Sequence, residues 1–430
     1  MKRCAAILIV FFLLFGCIQG AENGALSGGK AAVPAPAGKA VEPIGGGAVE
    51  KSEAVQKPSP GCGPQKERRF GQGPYYEGQL IDAHLHMPSL FPAPSDVTKH
   101  FNPAVLGRDT TMEKIICLLD REGISKAIGF FLAIDFLLEP SLQVARGAKA
   151  DYPGRVEPFL MPAPLTRPTF TPDEYAIITV ANPGIFRGYG ELAFYFGAFG
   201  TASPDDEIFM GIYKVAQSNG HPVMIHPTPQ TMEALEIAIQ KNPDVIFLLH
   251  GHEVEDEIMS LAEKYANVYY SLDAALFPAL YRFDREQDFK ANFEENFDSL
   301  LEADVAKWKG HIEANPDSFV WGTDRGETWH FDGEVGDYLA EFSRAFIGRL
   351  SPDVQEKFAY KNAQRMLAGE KTGIKNPVAP ITKTPFKGME GLCQTEEKCN
   401  AFCKDNLNRC KQYCESHPEY TLCKDGFSFQ

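Results

Sequence analysis

No apolar run in this chain is long enough to cross a bilayer as a helix, which takes roughly 20 uncharged residues. The run from Ala5 to Phe15 covers about eleven residues, and no later segment of spanning length is free of charge. The mature chain is therefore expected to have no transmembrane helix. Basic side chains are in deficit: 42 Lys and Arg against 57 Asp and Glu leave a formal charge of −15. Such a surface repels phosphate backbones and anionic lipid, which excludes nucleic acid as a default partner. Aromatic side chains are missing between Ile18 and Arg69, where Ala, Gly, Pro, Val, Lys and Glu dominate in stretches such as AAVPAPAGKA. That composition reads as a flexible linker over residues 21–72. The chain as a whole, 430 residues with 44% apolar and 11% aromatic side chains, has the material for a large core. Disorder throughout is excluded.

The first twenty residues start with Lys2-Arg3, continue with the apolar run and end in small residues up to Gly20, the profile of an export signal. Leu14-Phe15-Gly16-Cys17 resembles the lipobox of prokaryotic lipoproteins, which implies lipidation of Cys17 after cleavage. A lipid-anchored protein held off the membrane by its linker and a plainly secreted one both fit this start. Either lies outside the cytoplasm.

From about residue 77 short β-rich runs alternate with longer amphipathic ones, the signal for βα units around a parallel sheet. The pattern predicts strands at Gln79–His86, Ser125–Phe131, Val156–Met161, Ile185–Leu192, Pro222–His226, Val245–His250, Val268–Asp273 and Phe319–Asp324. Helical patterns fall between them, at Met112–Glu122, Pro204–Ser218, Thr231–Lys241, Glu253–Tyr265 and Asp298–Ala314, with Val335–Ile347 and Pro352–Leu367 closing the set. Eight such repeats predict an α/β fold, a (β/α)8 TIM barrel over residues 73–370. A doubly wound open sheet needs fewer strands and usually opens on a Gly-rich turn, which is absent here.

Chemistry in such a barrel sits at the C-terminal ends of the strands. The first strand ends in IDAHLHM, where His84 and His86 are two apart and share one side. The fourth puts Glu191 near its end, a carboxylate that is costly inside a barrel unless a cation or donor meets it. The fifth ends in VMIHP with His226, the sixth in FLLHGHE with His250 and then His252, and the eighth in FVWGTD with Asp324. Each alone has an ordinary explanation, a histidine on a backbone carbonyl or an acid capping a helix. Together, four imidazoles and two carboxylates ending five strands point to a divalent transition metal, one or two ions, with zinc first and manganese, iron or cobalt as chemical equals.

These motifs, with a closing YKNAQRML, make residues from about Leu80 to Leu367 resemble the amidohydrolase superfamily of metal-dependent hydrolases. The resemblance implies that His84, His86, His226 and Asp324 are metal ligands, and that His250 either holds a second ion or contacts the substrate. GYGELAF is similar to the fourth strand of members that bridge two ions with Glu, so Glu191 is either that bridge or an acceptor beside a single ion. His252 stands where a small residue is usual.

A divalent ion lowers the pKa of bound water to about 7 and polarises a carbonyl, leaving the protein to shuttle the proton. Asp324 is the expected shuttle, with one oxygen on a metal, and His250 the alternate. Arg187 shares the strand parity of Glu191, so it either grips a substrate carboxylate or is a buried charge neutralised by an acid. His252 is a candidate substrate contact. Tyr195, Trp329 and His330 follow the fourth and eighth strands, where aromatic residues more often pack.

Residues 371–390 read as a second linker, and six cysteines follow within about thirty residues: Cys393, Cys399, Cys403, Cys410, Cys414 and Cys423. In an exported chain this predicts a small disulfide-rich domain over 391–430. A helical hairpin bridged at Cys399–Cys414 and Cys403–Cys410, with Cys393–Cys423 across the ends, suits the CxxxC spacing. Six cysteines permit fifteen connectivities, and zinc binding is the rival use. The tail either attaches the protein to a cell-surface partner or caps it. Cys117 sits on an apolar helix face, IICLL, and is expected to be buried, while Cys62 in the linker either pairs or stays reduced.

The leading functional expectation is an extracytoplasmic metal-dependent hydrolase of a small amide, lactone or ester. The alternatives are decarboxylation of an aromatic acid and a surface-binding module that has kept the fold without catalysis. Removing residues 386–430 is expected to leave the barrel's activity unchanged, because a linker separates the two parts. The tail's own fold should depend on oxidation, since about thirty residues bury too little apolar surface to offset chain entropy. Thiol titration and mass spectrometry of exported protein check this: six reduced thiols, or stoichiometric zinc, would overturn it.

Overall fold

The computed structural model describes residues 68–70, 73–88, 111–135, 138–164, 167–195, 202–273, 285–326 and 328–373. The expected export signal with Cys17, nearly all of the expected first linker, the expected second linker beyond residue 373 and the six cysteines of the expected tail domain lie outside the described residues.

Eight strands form one sheet in chain order, all neighbours parallel. They are β1 Leu80–His86, β2 Ile124–Ile134, β3 Val156–Ala163, β4 Gly188–Ala193, β5 Val223–His226, β6 Phe247–Leu249, β7 Val268–Leu272 and β8 Phe319–Trp321. The seam between β8 and β1 closes through a Leu85–Arg325 bridge, with Asp324 N donating to His84 O at 2.8 Å and His86 N to Arg325 O at 3.1 Å. The outer layer comprises α1 Met112–Glu122, α2 Leu138–Asp151, α3 Pro172–Ala181, α4 Glu207–Asn219, α5 Met232–Lys241, α6 Glu255–Lys264, α7 Glu286–Ala314 and α8 Gly333–Gly348. The expected (β/α)8 barrel is thus present. Among the described residues no helix is long and apolar enough to cross a membrane.

Strand alternation divides the apolar residues into two layers. Ile81, Ala83, Phe130, Phe159, Met224 and Leu248 fill the inside, whereas Val223, Ile225, Phe247 and Leu249 face the helices. The terminal segment, α9 Pro352–Glu356, a π turn Lys357–Lys361 and α10 Asn362–Leu367, pushes Met366 and Leu367 into the inner layer. Asn362 is fully buried and donates to the carbonyls of Pro316 and Phe319, both at 2.8 Å. That is the structural use of the Asn-Ala pair in YKNAQRML.

In β1 the register slips between Asp82 and Leu85, three steps along β1 against two along β2. Ile81 and Ala83 face inward below this bulge, and Leu85 and Met87 face the helices above it. The bulge therefore turns His84 and His86 into the barrel mouth, both against inward-facing Phe130.

Two sequence expectations need correction. Arg187 precedes β4, is exposed and donates to Leu367 O at 2.9 Å, so it is neither a substrate clamp nor a buried charge on an acid. It ties the strand to α10. Cys117 is half-buried and disulfide-bonded rather than packed in the core. It is the single cysteine among the described residues.

α7 begins at Glu286 rather than Asp298, because Phe289, Phe293 and Phe297 extend its buried stripe through Leu301, Asp304, Trp308 and Ile312. Asp304 interrupts that apolar stripe, and its Oδ2 has no hydrogen-bond partner among the described residues. Burial pushes its carboxyl up to about 8, against about 4 in an unfolded chain. The folded state then holds a proton that the unfolded state has released between these values, so stability falls as pH rises from about 4 to 8. Asp304→Asn, neutral and of the same shape, is expected to remove that slope and to stabilise the protein at pH 7 by about 1–3 kcal/mol. Urea denaturation at pH 5 and pH 7 measures it; an unchanged slope would sink the idea.

Candidate metal centre

Glu191 lies at the centre of the barrel mouth, with its two carboxylate oxygens facing two different sets of imidazoles. Oε1 is 3.1 Å from His226 Nδ1 and 2.8 Å from His250 Nε2. Oε2 is 3.6 Å from His86 Nε2 and 3.8 Å from His84 Nε2. Asp324 Oδ1 completes the second set, 3.1 Å from His86 Nε2 and 3.3 Å from His84 Nε2. The ligand atoms of His84, His86 and Glu191 lie within 4.8 Å of one another, as do those of Glu191, His226 and His250. The structure thus brings together all six side chains that the strand ends suggested.

Local backbone explains the placement. Gly190 has φ 112, and a Cβ there would stand 2.3 Å from Met224 O, so only glycine lets β4 press this closely on β5 just before Glu191. Asp324 has φ 51, the left-handed region that few residues other than glycine adopt. It lies beyond β8 rather than within it, held by its N–H on His84 O. The next residue, Arg325, is buried and forms a two-pronged pair with Glu122, at 2.8 and 2.7 Å. Below, Asp82 accepts from Thr323 N at 3.0 Å, Thr323 Oγ1 at 2.6 Å and His84 N at 3.1 Å. These bonds lock the β1 bulge to the Asp324 turn.

Burial would raise the pKa of Glu191, but the charge of His250 and hydrogen bonds from His226 and His250 outweigh it and hold the carboxyl well below its usual range. Burial likewise opposes protonation of His250, yet the Glu191 and Asp273 carboxylates lift it well above normal. His86 and His226 are raised for the same kind of reason, through Asp324 in one case and through Glu191 and Glu253 in the other. Without metal, protons therefore provide the positive charge that this cluster of acids requires.

His84 Nδ1 lies 2.9 Å from Asp273 Oδ2, and a carboxylate only accepts, so Nδ1 carries the proton. The other nitrogen, Nε2, is buried, has no hydrogen-bond partner among the described residues and points between Glu191 and Asp324. A lone pair aimed at two carboxylates is unfavourable unless a cation stands between them. The imidazole and carboxylate donors fit a divalent transition metal.

Asp273 was not among the sequence candidates. It ends the predicted seventh strand, the same signal that marked Glu191 and Asp324, and it also lies 3.7 Å from His250 Nδ1. Among the other candidates, His252 is exposed, outside the cluster, with Nε2 3.5 Å from Glu253 Oε1. Tyr195 stands edge-on to the His226 ring at the mouth, 4.5 Å between centroids. His330 is fully buried and accepts from Gly326 N at 3.2 Å, and Trp329 packs against Phe289.

Comparison with known proteins bears on residues 81–368, which match the model of the amidohydrolase family. No curated protein matches the chain by sequence. Similar solved structures include an amidohydrolase from Burkholderia multivorans with bound zinc, 14% identical with a TM-score of 0.49 over 68% of this chain and 99% of that one. Another is a probable 2-pyrone-4,6-dicarboxylic acid hydrolase from Acinetobacter baumannii with citric acid bound, also 14% identical, with a TM-score of 0.45 over 67% and 99% of the two chains. A third, 4-oxalomesaconate hydratase from Rhodopseudomonas palustris, is 12% identical, with a TM-score of 0.37 over 67% and 96%.

Because Arg325 adjoins Asp324 and is 1% exposed, its partner Glu122 is expected to be structurally critical. Glu122→Gln should cost about 3–5 kcal/mol by taking from a buried guanidinium its two-pronged carboxylate partner and leaving it the more distant Asp82 at 3.8 Å, and adding Arg325→Met should restore most of the loss. Denaturant unfolding of the metal-free protein tests this. A single-variant loss under about 1 kcal/mol would contradict it.

Proposed function

Since this chain belongs to the amidohydrolase family and is an enzyme of the metal-dependent amidohydrolase type, we propose that it hydrolyses a small amide, lactone or ester outside the cytoplasm, with a site for two divalent ions to which Glu191 would be a shared ligand. The observation that carries the two-ion reading is the split environment of Glu191. One oxygen faces His226 and His250, and the other faces His84 and His86. His84, His86 and Asp324 would hold the first ion with it, and His226 and His250 the second.

When bound, such ions polarise a carbonyl and bring the pKa of water to about 7. The remaining work falls to the side chains. Asp324 stands at the mouth against His84 and His86, where its carboxylate can take the proton of the attacking water and return it to the leaving group. His250 is the poorer shuttle, because Nε2 is engaged by Glu191 and Nδ1 faces Asp273. Export is supported by the amino-terminal signal, by the cysteine-rich tail and by the disulfide at Cys117. Zinc is the proposed metal.

Freshly purified protein saturated with zinc should carry close to two ions per chain by elemental analysis, and Glu191→Gln should carry fewer. A native value near one removes the bridge. With a panel of esters, lactones, amides and phosphate esters, Asp324→Asn should abolish turnover of whichever substrate responds; retention within about tenfold would rule out the shuttle. Release of CO2 from an aromatic acid would favour decarboxylation instead.

A further inference from the structure

One carboxylate at the barrel mouth has no place in the proposed ligand set. Glu253 lies in the short 3-10 turn His252–Val254 after β6, with its side chain 49% exposed. Its Oε2 is nevertheless 3.3 Å from His226 Nε2, and its Oε1 is 3.5 Å from His252 Nε2. The sequence His250-Gly251-His252-Glu253 makes this return possible. Gly251 has φ 140, and a Cβ there would stand 3.2 Å from Cδ2 and Nε2 of His226, so the chain turns directly over that ring.

The bond has a consequence for the ring's tautomer. A carboxylate accepts only, so His226 Nε2 must donate. In the neutral imidazole the lone pair is then on Nδ1, the atom 3.1 Å from Glu191 Oε1. Asp273 does the corresponding job inside the barrel, accepting the hydrogen bond of His84 Nδ1–H and leaving the Nε2 lone pair for the cluster. The two carboxylates differ in setting. Asp273 is 2% exposed, whereas Glu253 is half in water, where its hold on the ring is weakened by solvent.

We propose that Glu253 is a positioning residue for the half-site of His226 and His250, and that this half-site holds the more weakly bound of the two ions. The proposal rests on the two-ion reading. Outer carboxylates that orient a ligating histidine are typically worth about 10–100-fold in metal affinity. Removing Glu253 should therefore weaken one ion and spare the other.

The test is a stepwise removal of zinc from the loaded protein by a competing chelator. The native chain should lose its ions in two steps of different affinity. Glu253→Ala should weaken the weaker step by about 10–100-fold and leave the tighter one unmoved. Glu253→Gln, whose amide oxygen can still accept the Nε2 proton, should fall between the two. A native chain that saturates at one ion defeats the two-ion reading and the role of Glu253 together. Two ions in the native chain, with both affinities unchanged in Glu253→Ala, defeat the role alone. So does a variant that loses both ions in parallel, or one in which the tighter step is the one affected. Melting of the metal-free variants, expected to match the native chain because Glu253 is half-exposed, separates these outcomes from misfolding.

Discussion

The barrel is organised around the cost of burying Glu191. A carboxylate 4% exposed at the head of an apolar barrel is destabilising by several kcal/mol unless positive charge or donors surround it. Four imidazoles surround it here, His84 and His86 from β1, His226 from β5 and His250 from the end of β6. The requirement fixes where those strands end and which way their last side chains turn. Irregular backbone in β1, in β4 and after β8 falls at this same point, where ordinary alternation would send a needed group outward.

A second buried charge supports the first. Arg325 faces Glu122 from α1, beside Asp82 and Thr323, and its backbone continues directly from Asp324. The bonds of Asp82 to Thr323 and His84 join the first and last strands where the barrel closes. The closing seam and the Asp324 turn are thus one hydrogen-bonded assembly. Its value lies in the geometry it fixes, since buried ion pairs in general are often replaceable by apolar residues of similar volume without loss of stability.

The imidazole tautomers follow from carboxylates outside the ligand set. Asp273 works from within the barrel and Glu253 from its rim, and each accepts a hydrogen bond that keeps the proton on the nitrogen facing away from Glu191. The lone pairs of His84 and His226 are thereby directed at the carboxylates of the cluster. That arrangement is stable with protons or with divalent cations between the groups, and exchange of one for the other links metal loading to proton release.

Much of this was legible in the sequence. The eight βα repeats predicted the barrel, because strand and helix periods differ and strand ends carry the polar residues. The six ligand-type side chains stood out because an imidazole or a carboxylate at the end of an apolar run is expensive without a partner. Asp273 carries the same signal at the end of the seventh strand, and Glu253 carries none, since an exposed acid in a polar turn looks like solvated surface. Arg187 shows the limit of parity reasoning: alternation predicted its side, but β4 begins only at Gly188, which leaves it at the base against α10. The order of elements and the residue types at the strand ends are local properties and could be read from the chain alone. The division of Glu191 between two sets of histidines, the turn that brings Glu253 back over His226 and the closure through Arg325 depend on bulges and on contacts between residues far apart in the chain. Only the tertiary structure decided these, because register is set by packing of one strand on the next rather than by any strand alone.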